Sequence, residues 1–141
     1  MFERDYLMKL ISDLVQALAK SIIQADEEEN PYLAARTLEL AIGNAVDMDA
    51  SLFLSLEPKS MSSMMSISSI DANGAEHIAR SLALSSVYNR QAGDKHLAAL
   101  RMGQAHAVAS AYGLSISDMI FDESVDMKEA IESMREFIEE E

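Results

Sequence analysis

Apolar residues recur at intervals of three and four along most of this chain, and no stretch alternates apolar with polar positions as a half-buried strand would. Over residues 2–24, Leu7, Ile11, Leu14, Leu18 and Ile22 share one helix face, with Leu10 and Val15 widening the stripe. Asp5, Lys9, Ser12, Asp13, Gln16, Lys20 and Gln24 fall on the other face. The acidic run Asp26–Glu29 interrupts the period. Asn30 followed by Pro31 restarts it: Asn accepts from free N–H groups, and Pro at the first turn has no N–H to leave unpaired. A helix is predicted from Pro31 to about Val46, and a short one over Ala50–Leu56, ended by Pro58.

The stretch Ser60–Ser69 places Met61, Met64 and Met65 on one face, but its serines compete for backbone bonds, so a short, mobile segment is expected. Asn73 with Glu76 three residues on has the form of a capping box, opening a helix to about Gln91. Gly93 suits a left-handed stop, and Asp94 caps a helix to about Tyr112. Gly113 with Leu114 reads as a Schellman-type end, and Ser117 as the cap of one turn through Phe121. Asp126 and Glu129 open a last helix whose stripe is Met127, Ala130, Ile131, Met134, Phe137 and Ile138. The expected fold is all-α, with four main helices and two or three short ones. One domain is expected over residues 1–138, with a frayed acidic end at 139–141.

Composition sharpens this picture. The chain has 141 residues, 49% of them hydrophobic, enough for one core, and only five Gly and two Pro. With no Cys there are neither disulfides nor thiolate metal ligands, which suits a reducing cytoplasm. The opening MFERDYLMK carries charge where a secretory leader has an apolar run, and no uninterrupted apolar run reaches membrane-spanning length. The net charge of −13 is uneven: residues 26–29 carry −4 and residues 118–141 carry −8, while residues 30–117 sum to only −1. No basic stripe is present, so neither nucleic acid nor an anionic membrane is an expected partner. The acidic runs read as solvating segments.

Two segments echo each other 64 residues apart, NPYLAARTLELA from Asn30 and DKHLAALRMGQA from Asp94. Ala34, Leu38 and Ala41 correspond to Ala98, Met102 and Ala105. Small residues a turn or two apart let a neighbouring helix approach, and the large residue between them fills the gap. This small-large-small order after a Gly-Asp turn resembles the second helix of a tetratricopeptide repeat, and Leu84, Ser85 and Tyr88 resemble large, small and aromatic positions of its first helix. The repeat's usual Trp and closing Pro are absent, and the spacing slips by one. The opening MFERDYLMKLI, through Phe2, Asp5, Tyr6, Met8, Lys9 and Ile11, is similar to the start of an uncharacterised family of small bacterial helical proteins with such hairpins. That resemblance implies antiparallel helix hairpins and a bacterial cytoplasmic protein, and it brings no activity.

Candidate chemistry is sparse. His96 and His106 lie ten apart, about 280° around a helix, and so do not share a face. His77 stands apart, and no HExxH or Glu-x-x-His pair occurs. Asp118, Asp122, Glu123 and Asp126 lack the ligand order of a calcium loop. No Gly-x-Ser-x-Gly elbow or phosphate-binding Gly-rich loop is present. Gly43 and Gly103 fall inside predicted helices, where Gly costs about 1 kcal/mol, and close helix packing is the expected reason. The methionines at 61, 64 and 65 fill core space or form an adaptable apolar patch.

The expected function is a non-catalytic protein-protein interaction module with no metal and no cofactor. The repeat resemblance places a peptide contact at Leu82, Ser86, Asn89 and Arg90, with Asn89 and Arg90 suited to a backbone amide or a carboxylate. The alternatives are a self-associating structural protein, a homodimer using the first helix or the 127–138 stripe, and a small ligand-binding or enzymatic bundle using His77 or His106 with carboxylates.

Overall fold

A computed structural model describes residues 2–114 and 124–140. Its described residues are helical, with no strand among them: α1 (Phe2–Ile22), α2 (Pro31–Ala45), α3 (Ala50–Leu54), α4 (Pro58–Ser66), α5 (Ala72–Gln91), α6 (Lys95–Ala111) and α7 (Met127–Glu139). The expected turn from Ser117 to Phe121 lies outside the described residues. The amphipathic stripe of α1 is buried at Leu10, Leu14, Leu18 and Ile22, while Leu7 and Ile11 are half-buried. Instead of stopping at 24, the first helix widens into a π-helical turn, Ile23–Glu27. It closes with Glu29 in the left-handed region (φ 52°) and the Asn30 N–H donating to the Gln24 carbonyl at 2.8 Å.

The caps are built as their residue types dictate. Asn30, Asp94 and Asp126 accept from Leu33 N, Leu97 N and Glu129 N at 3.1, 3.0 and 2.8 Å. The start of α5 differs from the expected Asn73 box. Asp71 is its cap, accepting from Gly74 N at 2.9 Å, and Asn73 sits inside the first turn. Both residue types cap well, and Asp71 holds the extended backbone (ψ 178°) that a cap needs. Gly93 (φ 98°) and Gly113 (φ 64°) close α5 and α6 as Schellman motifs: Asp94 N donates to Asn89 O and Leu114 N to Ala109 O. The Ser/Met segment is a two-turn helix. Pro58 occupies its first position rather than ending what precedes it, and Met61 and Met65 anchor it in the core.

The organising element is α5. Every residue from Ser81 to Asn89 is buried, because α1, α2, α6 and α7 all pack on it. Toward its start, Ala75, Ile78, Ala79, Leu82 and Ala83 join one apolar cluster with Leu10, Leu14, Phe53, Met61, Met65 and Val108. Toward its end, Leu84, Val87 and Tyr88 join a second with Leu18, Leu38, Ile131 and Met134. Each large buried side chain of these clusters contributes about 1.5–3 kcal/mol.

Candidate functional site

The turn between α5 and α6 is three residues long, Ala92 to Asp94, and folds the two helices back on each other. Gly93 supplies the left-handed residue, and Asp94 both ends one helix and caps the next. Above this turn the helices leave a cleft of about 200 Å3, walled by Ser86, Arg90, Lys95, Ala98 and Ala99. Ala98 and Ala99 make its floor shallow because neither projects beyond Cβ. Lys95 is exposed in the first turn of α6, and Arg90 is half-buried in the last turn of α5. Two cations therefore border a small-residue surface in a chain of net charge −13. Arg90 Nη2 also donates to the Val125 carbonyl, fixing the guanidinium beside the segment that leads into α7.

Of the four residues expected to face a peptide, the structure brings Ser86 and Arg90 to this cleft. Ser86 is itself buried, its hydroxyl donating to the Ala98 carbonyl at 2.6 Å and tying α5 to α6. Leu82 and Asn89 are enclosed, at 0% and 1% exposure. Leu82 is a core residue, and Asn89 belongs to a polar network. The physical reason is the packing of α1, α2, α6 and α7 around α5, which leaves its middle no open face. Lys95 was not among the expected residues. Its signal was its place directly after the Asp94 cap, one turn from the last cation of α5.

Among the described residues, the network around Asn89 concentrates buried polar chemistry. Glu39 Oε2 of α2 accepts from Arg101 Nε at 2.8 Å and from Ser85 Oγ and Asn89 Nδ2, each at 3.1 Å. Arg36 Nη2 donates to Asn89 Oδ1 at 2.5 Å. Arg36 Nε stands 2.6 Å from Glu39 Oε1 yet makes no aligned hydrogen bond, so that contact is an ion pair. Arg101 Nη1 donates to the Leu54 carbonyl at 2.8 Å and to Gln104 Oε1 at 3.0 Å. Gln104 Nε2 donates to the Leu54 and Leu56 carbonyls at the end of α3. With its carboxylate surrounded by donors from three helices, the cluster is built to hold α2, α5 and α6 in register. Arg101 sits three residues from Ala98 and four from Ala105, and Glu39 four from Ala35, so helical spacing puts both charges on buried faces.

The histidines do not converge. His77 is buried, with Nδ1 2.8 Å from the Asn73 carbonyl and its ring 4.8 Å from that of Phe137. His96 is exposed and His106 half-buried on α6. Among the described residues no three His, Asp or Glu side chains stand close enough to hold a metal ion. Asp126 is a helix cap, whereas Asp118, Asp122 and Glu123 lie outside the described residues. Gly43 and Gly103 are close-packing positions: a Cβ on Gly43 would lie 2.4 Å from Ala50 Cβ, and one on Gly103 3.1 Å from Pro58 Cγ. Among the described residues no helix is long and apolar enough to cross a membrane.

No protein-family model, no curated protein and no solved structure matches this chain.

Proposed function

We propose that this protein is a non-catalytic interaction module that holds a short acidic peptide segment of a protein partner in the α5–α6 cleft. The observation that carries this reading is the pairing of Arg90 and Lys95 over the small floor of Ala98 and Ala99. A carboxylate entering there meets two cations, and small floor residues let its main chain approach. The tetratricopeptide-like order of α5 and α6 supports a module of helical-repeat type, as does the echo of α6 in α2, since both pack on α5. In this reading Lys95 and Arg90 border the peptide, while Leu82, Ser86 and Asn89 act from beneath by fixing α5. The similarity of the opening residues supports a place in a bacterial cytoplasm.

Selection from a displayed peptide library tests it. Enriched peptides should carry Asp or Glu, and Lys95→Glu should weaken their binding at least tenfold. Ala99→Trp, which fills the cleft from an exposed position, should do the same. Both variants should melt within a few degrees of the parent. Enrichment of peptides without acidic residues would remove the cleft from consideration.

A second reading, self-association, is favoured by a groove of about 280 Å3 between α1 and α7, lined by Ala19, Ile22, Ile23 and Ile138. Ile23 is 48% exposed. Arg135 and Glu139, one turn apart on α7, flank the groove. A two-fold partner would set each against its opposite in the other copy. Light scattering at tens of micromolar should then give twice the chain mass, and Ile23→Glu should return it to monomer.

A further inference from the structure

At the opposite end of α2 from its cap lies an apolar hollow of about 300 Å3. Its walls come from four elements: Tyr6 of α1, Val46 after α2, Phe53 of α3, and Met64 and Met65 of α4, with Met48 completing the wall. Ile67, Ser68 and Ser69 of the α4–α5 link form its rim and are exposed, Ile67 by 87%. None of the lining residues is charged. Three hydroxyls at the hollow are already engaged with main-chain carbonyls, and Ser69 lies exposed on the rim. Tyr6 Oη donates to Ala45 O at 2.7 Å, Ser68 Oγ to Met65 O at 2.7 Å, and the neighbouring Tyr112 Oη to Ile70 O at 2.7 Å.

We propose that this hollow binds a small, uncharged, hydrocarbon-rich molecule of about two fused rings. Three features select that class. A wall without charge offers nothing to offset the cost of stripping water from an ion, so carboxylates, phosphates and amines are disfavoured. With the Tyr6, Ser68 and Tyr112 hydroxyls committed to backbone carbonyls and Ser69 out on the exposed rim, dispersion and apolar burial are the main source of affinity. An apolar cavity of about 150 Å3 holds one benzene, so twice that volume accommodates about two rings. Met48, Met64 and Met65, unbranched and polarizable, can settle against a ring edge or face. The cationic α5–α6 cleft selects the opposite chemistry, so the two sites would not compete for one ligand.

The test uses the full chain with ¹³C-methyl-labelled methionine, titrated with N-phenyl-1-naphthylamine, a neutral dye that brightens on leaving water. The expected result is saturable binding of one dye per chain. The methyl signals of Met48, Met64 and Met65 should shift, while those of Met8 on α1 and Met134 on α7 stay in place. Met64→Trp, which fills the hollow, should weaken binding at least tenfold, and Ile23→Ser in the α1–α7 groove should leave it unchanged. Dye fluorescence that never saturates, or saturable binding that moves other methionines instead, would overturn the proposal. The methyl shifts are read on the unaltered chain, so a filled variant that failed to fold would leave the test decisive.

Discussion

Gly43 is the most closely approached of the five glycines. A methyl group there would meet the Cβ, Cα and N of Ala50 at 2.4, 2.5 and 2.9 Å, and two of these are backbone atoms that cannot swing aside. In an open helix Gly→Ala gains about 1 kcal/mol. Here overpacking should reverse the sign, and Gly43→Ala should lower stability by about 1–3 kcal/mol in urea unfolding. Gly103→Ala meets only the ring carbons of Pro58, the nearest at 3.1 Å, and should come out near neutral. Both glycines were legible as breaks in helical propensity, but the difference between them was not, because it depends on which neighbour lies across the gap. Asp47 is a complementary case. It closes α2 in the left-handed region (φ 57°), with Met48 N donating to Gly43 O, where a glycine would sit without Cβ strain. Asp47→Gly should raise stability by about 1 kcal/mol, read as an increase in urea midpoint at unchanged slope.

At the scale of elements, spacing located the amphipathic helices and α5 alike, the latter at about 73–91 against the observed Ala72–Gln91, but it did not show which faces of α5 are covered. Its serines at 81, 85 and 86 and Asn89 would be hydrated on an isolated helix. In the structure they are buried, because each finds a partner: the His77 carbonyl, Glu39, the Ala98 carbonyl, and Glu39 with Arg36. Three of these four partnerships reach across 12, 46 and about 50 positions, beyond anything local periodicity reports. The same holds for α4. Serine predicted a loose segment, yet Ser63 and Ser66 return their hydroxyls to carbonyls one turn back, and the helix is held by buried Met61 and Met65. Leu82 and Asn89, two of the four residues expected at a peptide contact, are buried for the same reason, by helices remote in sequence. Glu39 tests how much α5 depends on those partners. Glu39→Ala strands Arg101, itself only 6% exposed, and should cost about 3–5 kcal/mol. Replacing Glu39 and Arg101 together by Met removes both charges and should cost much less than the sum of the single changes. A double-mutant cycle in urea measures that coupling, and additive losses would mean that the ion pair does not join α2 to α6.

For the whole molecule, the question is whether its two apolar clusters unfold together. One helix serves both: α5 gives Ala75 to Ala83 to the first and Leu84 to Tyr88 to the second, so neither can come apart without disturbing the other. Each cluster also carries a tyrosine that reports on it. Burial pushes the Tyr88 phenol well above its ordinary value, with the Ser21 hydroxyl 3.0 Å away opposing the shift. Tyr6, packed against the first cluster, is raised by partial burial and then by the charge of Asp47. Both phenols are neutral in the folded and unfolded chain below about pH 9, so neither makes stability depend on pH there. Above it the unfolded chain releases protons that the folded chain retains, and stability falls as pH rises. Tyr88→Phe loses the bond to Ser21, worth about 1 kcal/mol at pH 8, but should flatten the decline between pH 10 and 11.5. Tyr6→Phe should flatten it less. If α5 binds the clusters into one cooperative unit, urea transitions followed by tyrosine absorbance and by far-ultraviolet dichroism will coincide in the parent and in both variants. Two separated transitions, with only one moved by Tyr88→Phe, would show that the clusters melt independently despite the helix they share.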